Sequence, residues 1–276
     1  MSIDPNQPPA PATDAAAAPL TAQPIRFCRT CGAPWEPSWD QCPHCAAQQP
    51  SPQIEHAYRQ ERRFVISSVQ LYFALLAVSM VALMVGIARE KPPTVIGEFV
   101  IEGAMSLITL AWCLRLRSEL APILRTSAAP RWFIFAVLGA VATFLVAHFA
   151  VEGMNRLFKL QRLSYLDSFR QERYVFAWAI AAICVQPGIF EELGFRGVIF
   201  TSLQRVLGSK EALLVSALMF AILHLSVPSI PHLFLMGSVL GWLRLRTGSL
   251  FPGMLMHFTH NLLVIVSERW AGGLPW

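Results

Sequence analysis

Residues 174–206 read YVFAWAIAAICVQPGIFEELGFRGVIFTSLQRV, an apolar stretch interrupted by Glu191, Glu192 and Arg196. A charged side chain at the centre of a bilayer costs about 2.5–3.5 kcal/mol on insertion scales. A chain keeps such groups in such a stretch only where they pair or perform chemistry. As a helix the stretch is about 50 Å long. That exceeds the roughly 30 Å hydrocarbon core, so the helix tilts, kinks or projects. Pro187-Gly188 provides a kink immediately before the acids, because proline removes a backbone hydrogen bond. Glu192 and Arg196 stand at i and i+4, in the favourable order for a pair. Glu191 is rotated about 100° from Glu192. It is therefore left for chemistry, with Glu192–Arg196 as structural support. The alternative is one structural cluster made of both acids and the arginine.

The rest of the chain supplies the setting. Hydrophobic residues make up 54% and charged residues 14%, against about 25% charged in a typical soluble domain. Residues 64–88, 132–151, 212–231 and 247–267 carry no charge at all, and each run is long enough to span. No alternating pattern suggests a barrel. The expectation is an all-α, polytopic helical membrane protein of about seven spans, near 64–88, 95–114, 132–151, 174–206, 211–227, 231–246 and 250–268. Net charge is +5 and the pI about 9.1. In a membrane protein this excess follows from Lys and Arg collecting in loops on the cytoplasmic side, so nucleic acid is disfavoured as a partner. Arg62, Arg63, Arg115, Arg117, Arg125, Arg131, Arg205, Lys210, Arg244 and Arg246 flank alternate span ends. That pattern puts the N-terminus in the cytoplasm and the C-terminus outside. Between the third and fourth spans, 153–173 mixes leucines with basic residues and reads as an amphipathic interfacial helix.

Residues 1–24 are Pro/Ala-rich, lack the apolar core of a signal peptide, and read as a disordered tail. Residues 25–48 hold Cys28, Cys31, Cys42 and Cys45 in the pattern C-x2-C-x10-C-x2-C. Two such pairs suit tetrahedral zinc, and a cytoplasmic location disfavours disulfides. Gly32 allows the first turn a positive φ. The module resembles a zinc ribbon whose metal substitutes for a core. Trp35 and Trp39 are available for packing or for contact with a protein partner. Residues 49–63 read as a linker, and 64–276 as the membrane domain. Cys113 and Cys184 read as small packing residues. Glu98 and Glu102 lie one turn apart in the second span; the favoured reading places them near its outer end, facing the bundle or water. His148 reads as a core histidine.

Two more motifs accompany the acids. Phe220 and His224 form FxxxH, and His257 and Asn261 form HxxxN on one helical face. His260 points partly elsewhere and reads as a packing residue. Together and in this order, EExxxR, FxxxH and HxxxN resemble the CPBP family of intramembrane proteases, also called the ABI family. Its best-known branch is the type II CAAX prenyl endopeptidases. The resemblance covers about residues 170–268 and is carried by Glu191, Glu192, Arg196, Phe220, His224, His257 and Asn261. It implies a glutamate-dependent endopeptidase acting on a peptide or protein substrate at the membrane. Glu191, assisted by His224, would activate water, and His257 and Asn261 would donate to the oxyanion. The ribbon is a departure from the eukaryotic enzymes. It argues for a prokaryotic relative in the plasma membrane and leaves prenylation of the substrate open. Three alternatives stand beside this reading. Glu191, His224 and His257 suit a catalytic zinc site. The chain could be a non-catalytic scaffold or bacteriocin-immunity-like protein with a ribbon for docking. A proton-relaying transporter is the third, although no inverted repeat is visible.

Overall fold

The computed structural model describes residues 26–28, 30–35, 41–48, 52–89, 94–159, 164–169 and 175–272. The expected tail at 1–24 and Trp39 lie outside them. The chain divides into two units, residues 1–59 and 60–276.

In the first unit β1 (Arg26–Phe27) pairs antiparallel with β2 (Pro34–Trp35), Arg26 facing Trp35. A second bridge joins Gln41 and Gln48. Among the described residues of this unit the buried ones are Cys28 and Cys42, packed by Ala33 and Ala47, while Phe27 is 68% exposed. Two cysteines and two alanines are far too little apolar surface to hold a fold.

The second unit is helical. It contains most of α1 (Pro52–Arg89), then α2 (Val95–Arg115), α3 (Arg117–Arg125) and α4 (Pro130–Phe158). A continuous helical run follows: α5 (Val175–Ala179), a π-helical segment Ile180–Val185, α6 (Gln186–Glu192), a second π-helical segment Leu193–Ile199, and α7 (Phe200–Leu207). The chain ends in α8 (Ser209–Leu223), α9 (Ile230–Thr247) and α10 (Phe251–Gly272). Among the described residues four helices are long and apolar enough to cross a membrane: His56–Arg89, Val95–Arg115, Pro130–Phe158 and Phe176–Leu207. The further spans expected at 211–227, 231–246 and 250–268 correspond to α8, α9 and α10, which do not meet that length and apolarity by themselves. Val81, Leu107 and Phe149 are each more than 60% exposed. Helix faces this apolar belong against lipid.

Contacts at the helix ends fix their directions. At one end Arg205 pairs with Glu119 and lies over Phe64, and Trp132 meets Trp242. At the other, Ser168 bonds Glu98, Ser164 bonds Glu268, and Phe99 meets Trp178. Successive long helices therefore run antiparallel, and the basic loops near 115–131, 205–211 and 244–249 gather at one end.

Two expectations need correction. The segment 153–173 is not one interfacial helix. Residues 153–158 belong to α4, which ends at Lys159 in the left-handed conformation (φ 53°), its N–H bonded to Asn155 O. Leu166 and Phe169 then turn inward and are buried. Second, His148 is exposed on α4, against Phe144 and Phe149, rather than in the core.

Candidate functional site

The site begins with a backbone consequence of Pro187. A proline offers no N–H to the carbonyl four residues earlier, and its ring crowds that carbonyl. The carbonyl in question is that of Ile183, inside the first π-helical segment. Asn261 on α10 donates its Nδ2–H to it at 2.7 Å. Asn261 thereby ties the helix that Pro187 deforms to α10. Segments of π-helix concentrate at functional sites because they displace side chains from α-helical register. Such segments lie on both sides of Gln186–Glu192.

Glu192 is the hub. It is fully buried, and its Oε1 accepts from Arg196 Nη1 at 2.9 Å and from His257 Nδ1 at 3.0 Å. Arg196, 2% exposed, also donates Nη2–H to the Gly237 carbonyl on α9 at 3.2 Å. Its guanidinium lies 4.6 Å from the centre of the Phe220 ring. A buried arginine needs this combination of charge, acceptor and aromatic face. The other Glu192 oxygen lies 3.1 Å from where a Cβ at Gly253 would sit. Glycine at 253 lets the carboxylate sit this close to α10 without either group shifting.

Phe220 joins the histidines to this hub. Its ring is 4.9 Å from His224 and 5.9 Å from His257, centre to centre. His224 ends α8 as its C-cap residue, earlier than the expected helix end at 227, because the chain turns through Leu225 at φ 52°. His224 Nδ1 is 2.9 Å from the Phe220 carbonyl. A carbonyl only accepts, so Nδ1 carries the hydrogen and the neutral ring keeps its lone pair on Nε2. By the same logic His257 donates through Nδ1 to Glu192, which orients its Nε2. That atom is 3.8 Å from Glu191 Oε2.

Glu191 shares one feature with its neighbour. Its Oε2, like that of Glu192, is buried without a hydrogen-bond partner among the described residues. Glu191 also lines a cavity of about 10 Å³ together with Glu102, Ser106 and Gln186, room for about one water. Gln186 Nε2 donates to Ser106 Oγ at 2.9 Å and holds α6 against α2. Glu102 therefore faces the same cavity as Glu191, a link invisible along the sequence. His260, read as a packing residue, is buried and meets Thr143 Oγ1 of α4 at 2.9 Å.

The four N-terminal cysteines form a separate centre. Cys28 N–H donates to Ala33 O and Gly32 N–H to Cys28 O, both at 2.7 Å. Fourteen residues on, Cys42 N–H donates to Ala47 O and Ala46 N–H to Cys42 O, both at 2.9 Å. Gly32 and Ala46 take positive φ, 74° and 57°. The two turns repeat one geometry. They set Cys28 Sγ 3.6 Å from Cys45 Sγ, and Cys31 Sγ 3.6 Å from Cys42 Sγ. All four sulfurs lie within 4.8 Å of one another. Tetrahedral thiolates on one zinc would be about 3.8 Å apart. Burial works against ionisation of Cys28, but the N–H groups of Cys31 and Thr30 outweigh it and bring the thiol down to about 6. At Cys45 the Ala47 N–H favours the thiolate, yet burial and the other three cysteines push it up to about 12. Four thiolates in this space need a cation, so the donor set fits a metal ion. Among the described residues this is the one group of three or more His, Cys, Asp or Glu close enough to share an ion. Glu191, His224 and His257 do not come together in that way.

The structure thus brings Glu191, Glu192, Arg196 and His257 into direct contact and His224 alongside through Phe220. Asn261 is directed to a backbone carbonyl instead. Comparison with curated proteins and with solved structures returned no match. A family comparison did, and it supports an intramembrane protease of the CAAX kind. Residues 173–263 match the family described as Rce1-like, type II CAAX prenyl endopeptidase Rce1-like, over about a third of the chain that includes every residue from Glu191 to Asn261 named above.

Proposed function

We propose that the protein is an integral-membrane endopeptidase of the CAAX-protease type, cutting a peptide bond at or within the membrane with water activated by Glu191 and His224. The observation that carries this reading is the convergence of three distant motifs on Phe220 inside the segment that matches the family. Glu191 takes a proton from the water as the water oxygen bonds to the scissile carbonyl carbon. His224 Nε2 accepts from the same water. Negative charge develops on the carbonyl oxygen, where His257 Nε2, once protonated, and the second amide N–H of Asn261 are donors. Glu192 beside His257 stabilises the imidazolium. As the C–N bond breaks, the proton held by Glu191 passes to the departing amine. The ribbon binds zinc as a structural ion and offers a surface to a protein partner. The basic loops support a cytoplasmic N-terminus, and the ribbon supports a prokaryotic plasma membrane as the location.

The test is reconstitution of the purified protein with peptides, prenylated and unprenylated, with and without a chelator. Cleavage that survives chelation and is lost in Glu191→Gln supports the reading. Cleavage that the chelator abolishes would favour metal-assisted chemistry. A second reading, a non-catalytic scaffold or immunity-like protein, draws on the fact that Glu192 and Asn261 both serve in bonds between helices. A folded protein that cuts no peptide of either kind would favour it.

A further inference from the structure

Glu102 is placed on α2, outside the segment that matches the family. It shares the one-water cavity with Glu191, and the two carboxyls interact electrostatically. The Arg196 guanidinium interacts electrostatically with Glu191, and His257 Nε2 lies 3.8 Å from Glu191 Oε2. No hydrogen bond or ion pair to Glu102 is found among the described residues. The groups facing it can be named element by element. On α2 itself Glu98 lies one turn away, bonded to Ser168. From α6 come Glu191 and the amide of Gln186, while α1 and α8 contribute Leu75 and Leu223. Two carboxylates facing one small, poorly screened cavity do not both stay charged. The Arg196 guanidinium draws the charge to Glu191 rather than to Glu102. A carboxylate oxygen buried without a donor is also where an ordered water belongs, and Glu191 Oε2 is such an oxygen.

Resting on the protease reading above, we infer that Glu102 is a positioning residue: its neutral carboxyl donates to a water in this cavity, and that water donates to Glu191 Oε2. The bridge fixes one oxygen of Glu191 and leaves Oε1 for the reacting water. No bond to substrate is made by Glu102. Only its neutral form donates, so turnover falls as pH rises far enough to remove its proton.

The experiment compares Glu102→Ala, Glu102→Gln, Glu98→Gln and Glu191→Gln in the purified full-length protein, by cleavage kinetics against pH and by infrared spectroscopy of the carboxyl stretch. Glu102→Ala lowers kcat about ten-fold with little change in KM, the worth of one hydrogen bond. Glu102→Gln, whose amide also donates, restores turnover toward wild type and removes the fall at alkaline pH. The band of a protonated carboxylic acid is present in wild type and Glu98→Gln and absent from Glu102→Gln. Its persistence in Glu102→Gln, full activity in Glu102→Ala, or an unchanged alkaline limb in Glu102→Gln overturns the inference. Should Glu102→Ala not fold, the isosteric variant decides. The infrared band needs no substrate, so wild type that cuts no peptide would end the protease reading while the band still judged the carboxyl pair.

Discussion

The cysteine unit and the membrane cluster solve the same problem, holding charge in a small space, in opposite ways. In the ribbon every ligand comes from one of two local turns fourteen residues apart, and each turn sets its cysteines with its own backbone bonds. In the membrane unit the charges come from α6, the π-helical segment after it, and α10, with α9 lending a carbonyl. Local geometry survives changes elsewhere in the chain, whereas a site built from four segments is only as good as the packing between them. One centre has the donor set for a metal ion; the other needs a fold to tolerate its charges. The variants below test that contrast.

The largest effect is expected at Glu191. Glu191→Gln keeps the shape and removes the base, so cleavage should fall about 10²–10⁴-fold, the usual worth of general-base catalysis. Thermal unfolding in detergent should stay where it is, because Glu191 Oε2 has no hydrogen-bond partner to lose among the described residues. A folded variant that cleaves like wild type would remove Glu191 from the reaction. Its neighbour behaves differently. Arg196→Ala leaves the fully buried Glu192 without its cation and should lower stability by about 3–5 kcal/mol, read from denaturant or thermal unfolding. An unchanged midpoint would mean that His257 alone neutralises Glu192.

These two residues also mark what could be read from sequence. The i, i+4 spacing of Glu192 and Arg196 is local, and the pair is present at 2.9 Å. The cysteine spacing is equally local. What could not be read was every link set by the register of one helix against another. Glu102 faces the bundle near the outer end of α2, as the sequence reading favours, but nothing along α2 says that Gln186 and Ser106 lock α6 opposite it or that Glu191 is what it meets. The Ile183 carbonyl follows from Pro187 by counting back four residues, but its partner Asn261 lies 78 residues away. Likewise nothing in HxxxN says that His257 binds Glu192. The amphipathic look of 153–173 failed for a related reason: Leu166 and Phe169 are apolar for a tertiary contact, not for a helix face.

Asn261 separates the two uses of a residue. Asn261→Ala should reduce cleavage about 10²–10³-fold if its second N–H serves the oxyanion. It should also cost about 1–3 kcal/mol for the Ile183 carbonyl left bare. A loss of stability with cleavage intact per folded molecule would assign Asn261 to the helix junction alone. Gly253→Ala probes the packing behind the hub more gently. The added methyl meets Glu192 Oε2 at 3.1 Å, so one group must shift, at a cost of about 1–3 kcal/mol. If the carboxylate is what moves, His257 loses its orientation, and kcat should fall while the arginine variant's full instability is not seen. Equal stability and equal turnover would show that Glu192 has slack.

The smallest effect on the membrane unit is expected from the ribbon. Cys31→Ser removes one of four sulfurs, and three ligands on a chain with this little buried apolar surface should not hold the fold. Elemental analysis of the full-length variant should therefore show loss of stoichiometric zinc, and the first unit should become sensitive to protease. The membrane unit has its own buried cores, and its buried ion pairs are made among its own residues. Its unfolding midpoint and its cleavage of a short peptide should be unchanged. Retained metal in Cys31→Ser would break the four-sulfur site. Loss of metal together with a lowered midpoint in the membrane unit would break the contrast itself, because the ribbon would then be part of what holds the charged cluster in place.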